Sequence, residues 1–325
     1  MAKASQIKSL IQSHYENDTD RFNTISLQLA AHEAKSGHTA LANELKRIVD
    51  KSKQNKDLDK SNIQFHSNSI DELFIHSRPN LDMNDLILTI DQKEKIEKIL
   101  KEYFNQDKLR GYGLKNRRKI LLSGHPGTGK TMTASVIAAE LHLPIYIIQI
   151  DKIITKYMGE TSAKLRQIFK FIESHKAVYF FDEFDSIGGD RSRDNEVGEM
   201  RRVLNAFLQF LEGDQSDSLI ITATNNISLL DKALFRRFDD ILYYDLPEQA
   251  EIKSLFNAMF NNFSIRFKIE TIVKEALGLC HADIVKICNN VIKDSIINDS
   301  TFIRKEDLIK NIKATKLSYE RIHRN

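Results

Sequence analysis

Leu165, Ile168, Phe169 and Ile172 fall at i, i+3, i+4 and i+7 within residues 162–175. That spacing gathers one apolar stripe on a helix and leaves its other side polar. The same period runs through "IEKILKEYF" (96–104) and through Val197, Met200, Leu204, Phe207, Leu208 and Leu211, and a further helix is predicted over about 129–141. Between these helices lie short, continuous apolar runs: "KILLS" (119–123), "PIYIIQI" (144–150), "AVYFFD" (177–182), "SLIITAT" (218–224) and "DILYYDL" (240–246). Runs that are apolar at successive positions predict strands covered on both faces. Strands alternating with helices from about 91 onward predict an α/β fold, a parallel sheet with helices on both faces. From about 248 the pattern is helical to the end, which predicts a helical lid.

The front of the chain has a different texture. Ile7, Leu10 and Ile11 form one stripe, Phe22, Ile25 and Leu29 a second, and Leu41, Leu45, Ile48 and Val49 a third. The polar breaks "ENDTD" and "KSGHT" separate them, so a small three-helix bundle is predicted over 3–53. Residues 51–69 lose the period and are rich in Lys, Asn, Ser and Asp. The expected division is therefore a bundle over 1–53, a linker over 54–84, a large α/β region over 85–247 and the lid over 248–325.

Composition narrows the function. Hydrophobic residues make up 41% of the 325, enough for a sizeable core. The 48 basic and 45 acidic residues nearly cancel, to +3, so total charge gives nucleic-acid binding no support. Cys280 and Cys288 stand eight apart with no matching His/Cys pair, which argues against zinc and for a reducing compartment. The opening residues lack the apolar core of a signal peptide, and no apolar run reaches the ~18 residues of a membrane helix. The expectation is a soluble cytoplasmic protein without membrane contact.

Glycine is scarce, with 12 copies, yet three fall at 124, 127 and 129. They belong to "GHPGTGKT" (124–131), which matches G-x-x-x-x-G-K-[ST] and sits between a strand and a helix. Such a P-loop turns its backbone N–H groups around a phosphate, and the following helix adds its positive end. The stretch Gly124, His125, Pro126, Gly127, Thr128, Gly129, Lys130, Thr131 and Met132 is thus the candidate nucleotide cradle. Lys130 would reach the β- and γ-phosphates, and the Thr131 hydroxyl would bind Mg2+. In "VYFFDEFD" (178–185) an apolar strand delivers acids to its C-terminal end, where ligands bind in open α/β sheets. Asp182 is the candidate metal partner and Glu183 the candidate general base for water attack. Asp185 reads as a structural acid or one at a subunit contact.

With these motifs in this order, the chain resembles the AAA ATPases over about 85–320. "ATNNISLLDKALFRRFDD" (223–240) is similar to that family's second region of homology. The resemblance implies that Asn225 senses the γ-phosphate and orients water. It also implies that Arg236 and Arg237 are arginine fingers offered to a neighbouring subunit, hence a homo-oligomeric ring, most often a hexamer. The alternative for the two arginines is a surface pair bonded to Asp239 and Asp240. "GLCHADI" (278–284) resembles the lid motif, with Cys280 and His281 in place of serine and glycine. His281 would lie near ribose or adenine, or else be a helix N-cap; Ala282 stands where other branches keep an arginine. His125 replaces the commoner proline.

"TKYMGET" (155–161) occupies the place of the family's first pore loop, and Tyr157, Met158 and Gly159 match its aromatic–hydrophobic–glycine signature. Tyr157 would grip an extended protein client in the channel; the bland reading packs it on the domain surface. Residues 188–202 would hold the second pore loop. The chain also looks like a bacterial subgroup with a small helical front domain, whose members can be encoded beside subtilisin-like serine proteases, including toxin–antitoxin or phage-defence pairs. The resemblance as a whole implies an Mg-ATP-driven protein remodeller. The rivals are a nucleotide-gated scaffold and a nucleic-acid-linked AAA ATPase.

Overall fold

In the computed structural model, residues 73–153, 158–185, 194–226, 235–300 and 302–323 are described, with the single positions Ser13, Phe22, Ile25, Ser26, Leu29, Ala30 and Arg47. Contacts divide the chain into two compact units, Met1–Ser69 and Ile70–Asn325. In the front unit the described positions are all helical, and Ser26 Oγ donates to the Phe22 carbonyl at 2.8 Å. The rest of the predicted bundle lies outside the described residues.

The second unit is built on a six-stranded sheet of order β1-β3-β4-β5-β2-β6. Its strands are β1 (Phe74–Ser77), β2 (Lys119–Gly124), β3 (Ile145–Gln149), β4 (Val178–Asp182), β5 (Leu219–Thr224) and β6 (Asp240–Tyr244). All pairs are parallel except β1 with β3. The continuous apolar runs are explained by the pleat, which sends successive side chains to opposite faces. Leu121, Tyr179, Phe181 and Ile220 enter one core; Ile120, Leu122, Val178, Phe180, Leu219 and Ile221 enter the other. On the first face lie α5 (Met158–Ser174) and α6 (Asp194–Gly213), through Leu165, Ile168, Phe207 and Leu211. On the second lie α1 (Ile90–Phe104) and α3 (Lys130–Glu140), through Ile96, Ile99, Ala134 and Ile137. Short helices α2 (Gln106–Gly111) and α4 (Ile150–Ile153) complete this region.

Helix α1 starts where its sequence says it should. Gln92 N–H donates to Thr89 Oγ1 at 3.3 Å, and Thr89 N–H to Gln92 Oε1 at 2.9 Å. This reciprocal pair satisfies two N–H groups at the helix start.

Part of the span expected as linker, 54–84, is built into the sheet unit. β1 adds antiparallel to the edge, anchored by Phe74 against Tyr146 and Phe171 with ring centroids 5.5 and 5.1 Å apart. Met83 N–H then donates to Glu140 Oε1 at 3.0 Å, tying the arm to α3. A four-residue edge strand with three exposed residues carries no period to read.

The lid comprises α7 (Gln249–Met259), α8 (Glu270–Ala276), α9 (His281–Ile297) and α10 (Lys305–His323) around its own apolar core. Two parallel two-residue strands, β7 (Ser264–Ile265) and β8 (Phe302–Ile303), interrupt the expected all-helical pattern.

Candidate active site

Parallel pairing brings the C-terminal ends of β2, β4 and β5 to one edge of the sheet, with Ser123 beside Thr224 and Gln149 beside Asp182. The glycine loop leaves β2 there. Gly124 has φ +153°, and a Cβ on it would stand 1.9 Å from the Tyr244 carbonyl oxygen. His125 N–H donates to that same oxygen at 3.1 Å, so the loop is pinned to the end of β6. A side chain here meets backbone that cannot rotate away. Gly124→Ala is accordingly expected to cost about 1–3 kcal/mol, read as a fall of several degrees in Tm; an unchanged Tm would contradict the pinning.

Gly127 and Gly129 hold φ +73° and +100°, left-handed values that glycine adopts without strain. Thr128 Oγ1 donates to the His125 carbonyl at 2.7 Å and closes the turn. His125 and Pro126 are exposed, as is Met132 on the first turn of α3. Lys130 is only 7% exposed, and its Nζ donates to the carbonyls of Gly124 at 2.9 Å and His125 at 2.8 Å. Burial pushes its pKa below the ordinary lysine value, while Asp182 and Asp185 pull it back up.

Thr131 Oγ1 donates to Asp182 Oδ2 at 3.2 Å, so the two expected metal partners meet. The other carboxylate oxygen of Asp182 accepts the Glu183 N–H at 2.9 Å. Glu183 itself is exposed and has φ +52°. A non-glycine residue held there stores about 1–3 kcal/mol of strain, a feature that clusters at functional sites. Asp185 Oδ1 accepts the Asn225 N–H at 3.0 Å, tying the end of β5 to the end of β4. That contact places Asn225 beside the acids and gives Asp185 a structural task.

Arg236 is exposed, and Arg237 forms an ion pair with Glu212 at the end of α6. Among the described residues neither arginine pairs with Asp239 or Asp240. Asp239 instead accepts the N–H groups of Arg118 and Lys119, both at 2.9 Å, and Asp240 pairs with Arg117 at 3.1 Å.

The lid touches the loop directly. Ala282 N–H donates to the Gly127 carbonyl at 2.9 Å, and a Cβ on Gly127 would lie 2.7 Å from Cys280 Sγ. The N-cap of α9 is Cys280, not His281. Asp283 Oδ2 accepts the Cys280 N–H at 3.3 Å and its thiol at 3.1 Å, and Asp283 Oδ1 accepts the Tyr319 hydroxyl at 2.8 Å. Both ring nitrogens of His281 are buried without a hydrogen-bond partner among the described residues. Burial lowers its pKa, with Glu251 opposing, so the ring favours its neutral form.

Met158 begins α5; Tyr157, residues 188–193 of the expected second loop and residues 227–234 lie outside the described residues. Local pattern gave no sign of Glu212, Tyr319 or the Cys280–Gly127 contact, because each joins segments distant in sequence.

The family described as "ATPase family associated with various cellular activities (AAA)" matches residues 120–246. Over 312 residues the chain is 33% identical to the uncharacterized AAA family ATPase y4kL of Sinorhizobium fredii, covering 94% of this chain and 93% of that protein. The chain belongs to the AAA family of ATPases. Its activity is accordingly ATP hydrolysis. This AAA ATPase is also 30% identical to a putative 26S proteasome regulatory subunit homolog of Methanothermobacter thermautotrophicus, over 78% of this chain and 68% of that one. Similarity of 30% extends to the ATP-dependent zinc metalloprotease FtsH of Parabacteroides distasonis, over 68% of this chain and 34% of FtsH.

AAA ATPases generally bind ATP with Mg2+, and the residues present fit both. The left-handed glycines keep side chains out of the loop, Lys130 supplies the cation, and Thr131 with Asp182 offers hydroxyl and carboxylate oxygen. Among the described residues no cluster of three or more His, Cys, Asp or Glu could hold a metal alone. A sparse oxygen set suits Mg2+, which takes its remaining ligands from water and substrate phosphates. Among the described residues no helix is long and apolar enough to cross a membrane.

Proposed function

We propose that this AAA ATPase forms a ring, a hexamer in the usual family arrangement, that uses Mg-ATP to unfold or translocate a protein client through a central channel. The similarity to a proteasome regulatory subunit homolog over 78% of the chain carries this reading. A relative named as an ATP-dependent protease supports it.

In this mechanism the backbone N–H groups of residues 127–131 surround the β- and γ-phosphates, and Lys130 exchanges its loop carbonyls for phosphate oxygens. Mg2+ held by Thr131 and Asp182 would supply positive charge to the transferring group. Glu183 accepts a proton from water as the water oxygen bonds to the γ-phosphorus and the bond to the β–γ bridging oxygen breaks. Asn225 orients that water. At least one of Arg236 and Arg237 serves the neighbour's nucleotide, where positive charge stabilises the transition state. Neutral His281 offers one donor and one acceptor to the base or ribose, with Ala282 closing the cradle.

Tyr157 and Met158 contact the client, and an aromatic ring with a flexible thioether gives apolar grip without sequence preference. The front bundle selects the client or docks a separate serine protease, as in defence pairs of the subgroup the sequence resembles. Turnover with and without unfolded casein tests the channel reading. Casein raises the rate of the wild type, and Tyr157→Ala abolishes the rise. Equal stimulation of both proteins would sink it, and stimulation by DNA alone would move the function to nucleic acid.

A further inference from the structure

The two adjacent arginines sit in different electrostatic situations. Arg236 is exposed and has no ion-pair partner among the described residues. Arg237 is turned back onto its own subunit and spends its charge on Glu212. The next residue, Phe238, is 7% exposed in the sheet core, which fixes the chain direction at this point. Asp239 then clamps the turn to the start of β2, accepting two N–H groups at 2.9 Å and donating its own N–H to the Lys119 carbonyl at 2.7 Å.

These contacts close on themselves. Glu212 lies at the end of α6, and two residues later the buried Asp214 pairs with Arg118, which also donates Nη2–H to the Asp214 carbonyl at 2.6 Å. Arg118 is the residue whose N–H Asp239 accepts. The segment that directly follows Arg236 is thus held by Arg237–Glu212 and, two residues on, by Asp239, with the Arg118–Asp214 pair joining the two anchors. An exposed ion pair contributes little to stability, about 0–1 kcal/mol. It nonetheless sets the resting direction of the Arg237 guanidinium, along its own subunit towards Glu212.

We infer that the arginines divide the work: Arg236 alone reaches the neighbour's nucleotide, and Arg237 with Glu212 forms a positioning pair that presents it. This rests on the proposal that the arginines act across a subunit boundary, and the experiment separates the two claims.

ATP turnover is measured for Arg236→Ala, Arg237→Ala, Glu212→Ala and the reversed pair Glu212→Arg/Arg237→Glu. Loss of the reaching arginine lowers kcat by about 10³-fold. Loss of either positioning residue misplaces Arg236 and lowers kcat about tenfold, with the KM for ATP unchanged. The reversed pair recovers most of the wild-type kcat, which a glutamate at 237 could not do if that side chain had to meet phosphate. A reversed pair as slow as Arg236→Ala would overturn the division of labour. Mixing tests the premise by itself. Lys130→Ala subunits have intact arginines, and Arg236→Ala subunits have an intact phosphate loop. Recovered activity in the mixture supports action in trans; no recovery overturns that reading whatever the reversed pair does.

Discussion

Glu183→Gln is expected to lower ATP turnover by about 10³-fold, within the range that general-base catalysis supplies, while ATP still binds. The substitution keeps the size and reach of the side chain while removing its negative charge and its capacity to take a proton. Among the described residues no hydrogen bond or ion pair uses the Glu183 carboxylate. The Glu183 N–H donates to Asp182 at 2.9 Å through backbone, and Asp182 keeps its contact with Thr131. Phosphate loop and metal donors therefore stay in place, and calorimetry should find ATP affinity close to that of the wild type. Turnover within about threefold of the wild type would remove Glu183 from the role of base. The backbone adds a second readout. At φ +52° Glu183 is strained, and glycine relieves that strain. Glu183→Gly relieves about 1–3 kcal/mol of strain against about 0.5–1 kcal/mol for the added freedom of the unfolded chain, so Tm should hold or rise while turnover collapses. Strain kept at the cost of stability is what a catalytic position looks like.

Lys130→Ala is expected to weaken ATP binding by about 100-fold or more, the equivalent of losing a charge-assisted contact of ~3 kcal/mol. The lysine is 7% exposed and already oriented by the carbonyls of Gly124 and His125, so little ordering remains when phosphate replaces them. Its depressed pKa gives the contact a pH signature. The free protein loses the ammonium proton below the ordinary lysine pKa. Bound phosphates favour the charged form and raise the pKa again. Between the two values ATP binding must take up a proton, so affinity falls as pH rises through that alkaline window. Calorimetry in buffers of different ionisation heats should detect the uptake in the wild type and not in Lys130→Ala. Equal affinity in the two proteins would show that Lys130 makes no phosphate contact.

The sequence was informative wherever structure follows from neighbours along the chain. A phosphate loop is eight consecutive residues whose glycines answer to backbone angles, and Gly127 and Gly129 hold such angles at φ +73° and +100°. Strands buried on both faces need successive apolar residues, so "VYFFD" could be read as β4, and the acids that follow it fell at the sheet's C-terminal edge. Helix stripes such as Leu165, Ile168 and Ile172 were legible because burial against a sheet imposes a period of 3.6.

Tertiary structure decided what joins distant segments. β1 is too short to show a period, and only its pairing with β3 makes it a strand. The sequence puts two arginines side by side, and only the fold brings Glu212 to Arg237 while leaving Arg236 exposed. The lid motif names Cys280 and Ala282, but their contact with Gly127 spans about 150 residues of chain and depends on how α9 docks. Tyr319 reaches Asp283 in the same way, at 2.8 Å. Periodicity and motif spacing record local geometry, whereas a pair of side chains made adjacent by folding leaves no mark in either segment alone.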